Sequence, residues 1–173
     1  MQAPTHILAG SVIQELCKTR RFPLLTYFLT AVFGFFSHGL LDKLAITTYH
    51  PPRADFSDAF WISYHVGVLL ATIVAVYVYG ARYGWGIIFA VLPDVDWILI
   101  HGQRLTGISL PFYQTPHIHN FLNAFFDTVA APLSALPDYR HYPWAGIFEI
   151  ALIALFILLL HRLQRRRRNI HFR

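Results

Sequence analysis

The stretch FPLLTYFLTAVFGFFSHGLLDKL, from Phe22 to Leu44, decides the fold class of this chain. It is apolar over most of its length and long enough for an α-helix to cross a bilayer, which takes about 20 residues. Near its end it carries His38 and Asp42, which lie four positions apart and therefore share one helical face. An ionisable group at membrane depth costs about 3 kcal/mol unless it is paired, hydrated or bound to a metal. The stretch therefore predicts a membrane helix that holds part of a functional site.

The composition of the whole chain also indicates a membrane protein. Of the 173 residues, 55% are hydrophobic and only 13% are charged. Soluble domains carry about 25% charged residues, so we expect one all-α membrane domain, 1–173, without a separate soluble domain. The single cysteine, Cys17, excludes an internal disulfide and a cysteine-rich zinc site. The net charge of +5 is concentrated in Arg165 to Arg168 after an apolar segment, which indicates contact with lipid headgroups and no nucleic-acid partner.

Four segments have the length and polarity of spanning helices. They are residues 22–44, 59–79, 84–100 and 144–161. Basic residues precede the first segment (Lys18, Arg20, Arg21), separate the second from the third (Arg82) and follow the fourth. If the spans alternate, all three clusters lie on one face, which the positive-inside rule makes cytoplasmic. We therefore predict a multi-pass protein with a cytoplasmic basic tail, 162–173, and an outer loop, 102–143, that contains a short helix near 117–129.

The segment before the first span, residues 4–18, has apolar residues at helical spacing and Thr5 as a possible cap. Gln14 and Glu15 favour a helix that lies flat on the cytoplasmic membrane surface. Alternatively, the segment folds as a hairpin against the first span. His6 would then lie about 20 Å above the basic face, near the level of His38.

Ionisable side chains recur at one depth of the predicted bundle. A rise of ~1.5 Å per residue places the spanning candidates about 18 Å or more above the basic turns, in the outer half of the bilayer. These candidates are His38, Asp42, His65, Asp94, Asp96 and Glu149. Imidazole and carboxylate groups suit zinc, manganese or iron, so this polar layer is a candidate metal site.

Local motifs suggest roles within this layer. In Leu92-Pro93-Asp94-Val95-Asp96 the proline opens the helix, so one carboxylate could bind metal while the other orients a ligand histidine or acts as a base. His117 or His119 could reach down from the outer loop and complete the metal shell. Structural alternatives remain for each motif: a hydrogen-bonded helix staple for His38 and Asp42, packing for His65, and a counter-ion role for Glu149.

The order of several motifs resembles a known family, the inner-membrane metal-dependent hydrolases. The shared motifs are Thr5-His6 followed by Gly10, then Leu92 to Asp96 with Gly102 and Arg104 after it, and then His119-Asn120. That family is itself reminiscent of zinc-dependent phospholipase C and zinc-dependent single-strand nucleases, whose sites also use His-x-x-x-Asp. The family's Arg-Gly-x-Thr-His-Ser stretch appears here only as Pro116 to Asn120, and a clean second His-x-x-x-Glu pair is missing. The resemblance implies a bacterial inner-membrane location and favours the hairpin.

We therefore expect a hydrolase that cleaves a phosphoester or similar bond in a lipid or lipid-linked substrate near the outer leaflet, with one or two zinc or manganese ions. The expected metal ligands are His6, His38, Asp42, His65, Asp94, His117 and His119. The expected catalytic residues are Asp96, Glu149 and Arg104, which could hold a phosphate bidentately. The alternative is a non-catalytic subunit of a larger membrane complex, with histidines such as His65 structural or ligating a haem or chlorophyll-type pigment. A proton path is disfavoured because the inner halves of the spans are almost wholly apolar.

Overall fold

The computed structural model describes residues 1–19, 21–51 and 55–171, and every regular element in these ranges is helical. The predicted all-helical class is therefore confirmed. The α-helices are α1 (Ala3–Cys17), α2 (Pro23–Leu44), α3 (Ala59–Val91), α4 (Val95–Thr106), α5 (His117–Val129) and α6 (Gly146–His171). Arg20 of the predicted basic cluster and residues 172–173 of the predicted tail lie outside the described residues.

Three helical stretches within the described ranges are long and apolar enough to cross a membrane. They are Pro23–Thr47, Ala59–Thr106 and Pro143–Asn169. The second of them has 48 residues and includes α3, α4 and the short 3-10 turn Leu92–Asp94 between them. A straight helix of that length would measure about 72 Å, more than twice the hydrocarbon thickness of a bilayer. The chain is thus a membrane protein by the length and composition of its helices.

The helix α1 lies inside the helical assembly. All its residues from Pro4 to Val12 are buried, including the polar side chains of Thr5 and His6. A helix flat on the membrane would keep a polar face exposed, so this burial disagrees with the flat arrangement. The apolar residues of α1 pack into a core cluster with α3 and α6, which consists of Ile7, Val12, Ala75, Tyr83, Ile87 and Leu160.

The helices α1 and α2 contact each other at two places. Near their connection, the backbone N–H of Thr19 donates to Oγ1 of Thr26 over 2.9 Å. Farther along both helices, the rings of His6 and His38 stack with centroids 4.0 Å apart. This arrangement brings one histidine from each helix into the same layer.

The helix α3 changes direction at Tyr83, whose backbone is not helical (φ −123°, ψ 21°). Ala71, before this point, shares a cavity wall with Pro4 of α1, and Ala90, after it, packs against Gly10 of α1. Along a straight helix these two alanines would be about 28 Å apart, whereas Pro4 and Gly10 are separated by only about 9 Å. The two arms of α3 therefore fold back along α1. The sequence predicted a turn outside the helices here, whereas helical hydrogen bonding continues up to Tyr83 from both sides.

Glycine allows the second arm of α3 to approach α1 closely. A Cβ atom placed on Gly10 would lie 2.7 Å from the carbonyl carbon of Gly86 and 2.8 Å from Cβ of Ala90. These separations are far below van der Waals contact, so only glycine fits at this crossing, as at other close contacts between membrane helices. The crossing holds α1 and its His6 next to the end of α3.

A buried carboxylate, Glu15, connects the C-terminal ends of α1 and α6 with Tyr83, where α3 changes direction. Glu15 accepts hydrogen bonds from Lys18 Nζ (2.7 Å) and from the Tyr83 hydroxyl (2.8 Å), and Arg167 Nε lies 3.0 Å from its other oxygen. Arg167 also donates to the main-chain oxygens of Glu15 and Lys18 at the end of α1, both over 2.8 Å. A buried charge is tolerated when it is paired in this way, so the basic end of α6 is fixed against α1.

Candidate metal centre

His38 and Asp42 form the first part of the site, one turn apart on α2. Nε2 of His38 lies 3.2 Å from Oδ2 of Asp42, as the i, i+4 spacing predicts. The other ring nitrogen, Nδ1, lies 2.8 Å from the carbonyl oxygen of Ala90. That carbonyl belongs to the last turn of α3, where carbonyls have no partner within the helix. Because a carbonyl can only accept, Nδ1 carries the hydrogen, and in the neutral ring Nε2 offers its lone pair to the site.

His119 brings a second imidazole from α5. Its backbone N–H donates to Oδ2 of Asp96 over 2.8 Å, and its Nδ1 lies 3.1 Å from the same oxygen. The carboxylate thereby assigns the ring hydrogen to Nδ1 and leaves Nε2 as the acceptor, just as Ala90 does for His38. The two Nε2 atoms lie 3.3 Å apart. Two lone pairs at this separation repel each other unless a cation or a proton lies between them.

Two carboxylates complete this group of ligand atoms. Oδ2 of Asp42 lies 3.6 Å from Nε2 of His119, and Oδ1 of Asp94 lies 3.6 Å from Nε2 of His38 and 4.0 Å from Nε2 of His119. Asp94 is the more open of the two carboxylates, with 40% of its side chain exposed against 26% for Asp42. The four side chains come from α2, from the Leu92–Asp94 turn and from α5.

The spacing of these atoms fits one tetrahedral metal ion. Zinc binds nitrogen and oxygen ligands at about 2.0–2.2 Å, which makes the edges of a regular tetrahedron about 3.3–3.6 Å. Five of the six distances between the four ligand atoms run from 3.2 to 4.0 Å. A divalent cation would separate the two facing nitrogens and offset the charge of Asp94, while the ammonium group of Met1 already lies 2.8 Å from Oδ1 of Asp42. Two imidazoles and two carboxylates suit zinc or manganese.

His6 lies beside this group and belongs to a second set of possible ligands, His6, His38 and Asp42. Its Nε2 lies 3.3 Å from Oδ1 of Asp42, the oxygen that faces away from His119. Its Nδ1 is buried without a hydrogen-bond partner in the described part of the chain. Both sets of ligands share Nε2 of His38, and one nitrogen lone pair binds one ion. His6 could therefore ligate the same ion or hold Asp42 in position.

Two aromatic residues take part that the sequence pattern did not single out as site residues. Nε1 of Trp97, at the start of α4, donates to Nε2 of His119 over 3.1 Å. Metal binding at His119 requires this hydrogen bond to be given up. The Tyr113 hydroxyl donates to Oδ1 of Asp96 over 2.5 Å, and this hydrogen bond raises the pKa of Tyr113. The only feature of the sequence that indicated a site role for Trp97 was its position next to Asp96. Tyr113 reaches the site only through the folding of the loop before α5.

Of the two outer-loop histidines, the structure brings His119 to the site and leaves His117 outside. The His117 ring is exposed, and its Nε2 lies 2.9 Å from the carbonyl oxygen of Phe112. His65 is also elsewhere: its ring stacks on Trp61 with centroids 4.0 Å apart, and its Nδ1 lies 2.8 Å from the Trp61 carbonyl oxygen.

The other two expected catalytic residues have different surroundings. Arg104 is exposed on α4, about 12 Å along the helix from Asp96. Glu149 of α6 is buried and accepts hydrogen bonds from the backbone N–H of Gln2 (3.0 Å) and from the Thr5 hydroxyl. It thus satisfies donors at the start of α1, where a negative charge is favourable. In the structure, the contacts of Glu149 hold the helix that carries His6.

We expect replacement of Asp96 by asparagine to weaken zinc binding by about 10–100-fold, the usual effect of losing a group that orients a ligand histidine. The neutral amide no longer favours the hydrogen on Nδ1 of His119. Asp127→Asn is the matched control, because Asp127 is an exposed carboxylate on α5 whose partner is Lys43. Competition of each purified variant with a chromogenic chelator measures the affinity. Equal zinc affinity in both variants would show that Asp96 does not orient a ligand.

The comparisons with known proteins gave no match: no family model, curated protein or solved structure matches this chain. What the chain does must therefore be inferred from the geometry and chemistry of its site.

Proposed function

We propose that this chain is a membrane-embedded, metal-dependent hydrolase that cleaves a phosphoester or similar bond in a lipid or lipid-linked substrate near the outer leaflet. The observation that carries the proposal is the convergence of two imidazole nitrogens and two carboxylate oxygens at distances suited to one tetrahedral ion. Each imidazole has its other nitrogen held by an acceptor, as ligand histidines usually do. A hydrogen-bonded pair that only holds helices together would not need four potential ligands around one point.

His38, His119, Asp42 and Asp94 would hold one zinc or manganese ion. A divalent ion in such a site supplies Lewis-acid polarisation of an ester oxygen and a water nucleophile at neutral pH. The protein's own groups have separate tasks. Asp96 holds His119 in one tautomer, Ala90 does the same for His38, and His6 contacts the outer oxygen of Asp42.

The substrate would enter beside Asp94. The side chain of Asp94 is the most exposed of the four ligand residues, and neighbouring Trp97 is 42% exposed. His38 is fully buried and His119 nearly so, which closes the other sides of the site. Asp94 is therefore the group best placed to exchange a ligand position with substrate or to accept a proton from an attacking water.

The membrane arrangement we propose has four crossings, with α1 forming a hairpin with α2. The fold-back at Tyr83 supports two crossings within Ala59–Thr106, because both arms of α3 pack along the same part of α1. Stacking of His6 on His38 supports the hairpin. Lys18, Arg82 and Arg167 all lie around Glu15 at one end of the bundle, which the positive-inside rule makes cytoplasmic. Together with the family resemblance, this supports a bacterial inner-membrane protein with a cytoplasmic C-terminus.

A reporter enzyme fused after Arg173 tests this orientation. We expect a cytoplasmic reporter to be active there and a reporter that works only outside the membrane to be inactive. Fusion of the same reporters within the outer loop, after Pro137, should give the reverse result. Activity of the external reporter at residue 173 would show that the orientation is the opposite one, with the metal centre in the inner leaflet.

The alternative of an accessory subunit with a histidine-ligated pigment depends mainly on His65. One face of that ring is covered by Trp61, and its Nδ1 is held by the Trp61 carbonyl. Such a role would not need Asp42, Asp94 or Asp96, whose side chains surround the two buried histidines of the candidate metal centre. We therefore place the hydrolase first.

Hydrolysis can be tested with purified protein in lipid nanodiscs. We expect release of phosphate or of a phosphorylated headgroup from a labelled phospholipid when zinc or manganese is added, and loss of this activity with a chelator. Asp42→Asn should abolish the activity, whereas the surface control Asp127→Asn should retain it. Soluble p-nitrophenyl phosphate and bis-p-nitrophenyl phosphate separate monoester from diester chemistry. Metal binding without turnover of lipid or soluble esters would contradict the hydrolase proposal.

A further inference from the structure

An apolar surface follows the candidate metal centre in the chain, at the end of α4 and in the loop after it. Leu105, Ile108, Leu110 and Phe112 are between 40% and 89% exposed, so they contribute little to the packing of the fold. Large apolar side chains clustered at one exposed place mark a membrane or protein contact in most proteins. The cluster, here called the loop patch, therefore needs a partner.

The loop patch is held in a defined shape. α4 ends at Thr106, and the next residue, Gly107, has the left-handed backbone conformation (φ 71°) that turns the chain back. The Gln103 side chain accepts from the Leu110 N–H over 2.6 Å and donates to the Tyr113 carbonyl over 2.7 Å. Tyr113 in turn donates to Asp96, which orients His119. The apolar side chains are thus displayed outward from a loop that is bonded back to the metal centre.

Charge and continuity indicate lipid as the partner. Residues 97–126 contain no aspartate or glutamate, and they include Arg104, which is exposed beside Leu105. Anionic phosphates complement such a surface, and one basic side chain near an anionic bilayer contributes about 1 kcal/mol. The patch also continues the apolar surface of the candidate span Ala59–Thr106, on which Trp97 and Ile98 are exposed. A protein partner would have to replace lipid along that same surface.

We propose that the loop patch inserts into the outer leaflet, with Leu105, Ile108, Leu110 and Phe112 among the acyl chains and Arg104 at the phosphate of an anionic phospholipid. Arg104 then acts as a headgroup contact and not as a catalytic residue. Because the inserted loop is bonded to Asp96 through Tyr113, the opening beside Asp94 and Trp97 lies at the headgroup level. The insertion itself does not depend on the metal or on hydrolysis.

Fluorescence quenching tests the insertion. An environment-sensitive dye is attached at Phe112→Cys in the Cys17→Ser background, and the labelled protein is placed in vesicles of phosphatidylcholine and phosphatidylglycerol. The matched control label is at Ala135→Cys, an exposed position elsewhere in the outer loop. We expect lipids with a nitroxide near the top of the acyl chain to quench the dye at 112, and aqueous iodide to quench mainly the dye at 135. Nitroxide phosphatidylglycerol should quench the dye at 112 about fivefold more effectively than nitroxide phosphatidylcholine, and Arg104→Gln should remove this preference.

Three results would contradict the proposal. If iodide quenches the dye at 112 as strongly as it quenches the dye at 135, the loop lies in water. A dye at 112 that neither quencher reaches would indicate a protein partner or a second copy of the chain. Equal quenching by the two nitroxide lipids in the Arg104 protein would refute the headgroup contact. Because none of these readings needs bound metal or turnover, they are independent of the outcome of the hydrolysis assay.

Discussion

Gly10→Ala will destabilise the fold by at least about 3 kcal/mol, at the upper end of what overpacking usually costs. The added methyl group would lie 2.7 Å from the carbonyl carbon of Gly86 and 2.8 Å from Cβ of Ala90. Rotation of a side chain cannot relieve this overlap, because the nearest contacts include the main-chain oxygen and carbonyl carbon of Gly86 in α3. α1 would have to move away from α3 and take His6 with it. Unfolding of the purified protein in mixed micelles with increasing dodecyl sulfate, followed by circular dichroism, measures the loss.

Gly67→Ala is the matched control for this prediction. Gly67 also lies in a helix, but a Cβ atom there would meet nothing within 4 Å. Alanine should therefore leave stability unchanged or raise it by up to about 1 kcal/mol, the difference in helix propensity. Equal stability of the two variants would mean that α1 does not cross α3 at Gly10 and Gly86.

His38→Ala and Asp42→Ala should each reduce zinc or manganese affinity by at least about tenfold, and by more than Asp96→Asn does. Each removes a direct ligand atom, and loss of a ligand exceeds the effect of losing a group that only orients one, which is about 10–100-fold. Both side chains also hold the facing groups in place, since Asp42 lies within 3.6 Å of His6, His38 and His119. Equilibrium dialysis of metal against each purified variant measures the affinity.

Two histidines serve as controls in the same measurement. His65→Ala and His117→Ala remove imidazoles that the structure places against Trp61 and Phe112. We expect both variants to bind metal as the unchanged protein does. Loss of metal in His65→Ala together with normal binding in His38→Ala would favour the accessory-subunit alternative.

Hydropathy and helical periodicity account for the parts of this protein that the sequence predicted. Continuous apolar stretches of about 20 residues predict helices in a bilayer, because every backbone group needs a partner there and a helix provides the partners within one segment. The pairing of His38 with Asp42 followed from i, i+4 spacing, which is a local property of one helix. The rise per residue, applied to each helix separately, predicted one layer that included His38, Asp42 and Asp94, whose side chains meet in the structure, but it also included His65, which lies elsewhere.

Contacts between distant segments could not be predicted from hydropathy and periodicity. His117 and His119 have nearly the same local sequence context, and only the packing of α5 on α2 places His119 inward. Glu149 looked like one more member of the polar layer, but its depth did not reveal that it meets the start of α1. Tyr113 lies 17 positions after Asp96 and reaches it because the loop that follows α4 folds back. Periodicity carries no information on any of these three arrangements.

Metal analysis of the purified, tag-free protein tests the central claim most directly. Protein prepared without chelators and then exposed to zinc should retain one divalent ion per chain. Replacement of that ion by cobalt should give the intense visible absorption of a four-coordinate site with nitrogen and oxygen ligands. Two results together would contradict the metal centre and with it the hydrolase. The first is that the protein retains no zinc, or no more zinc than the His38→Ala variant. The second is a cobalt spectrum that does not differ from that of the free ion.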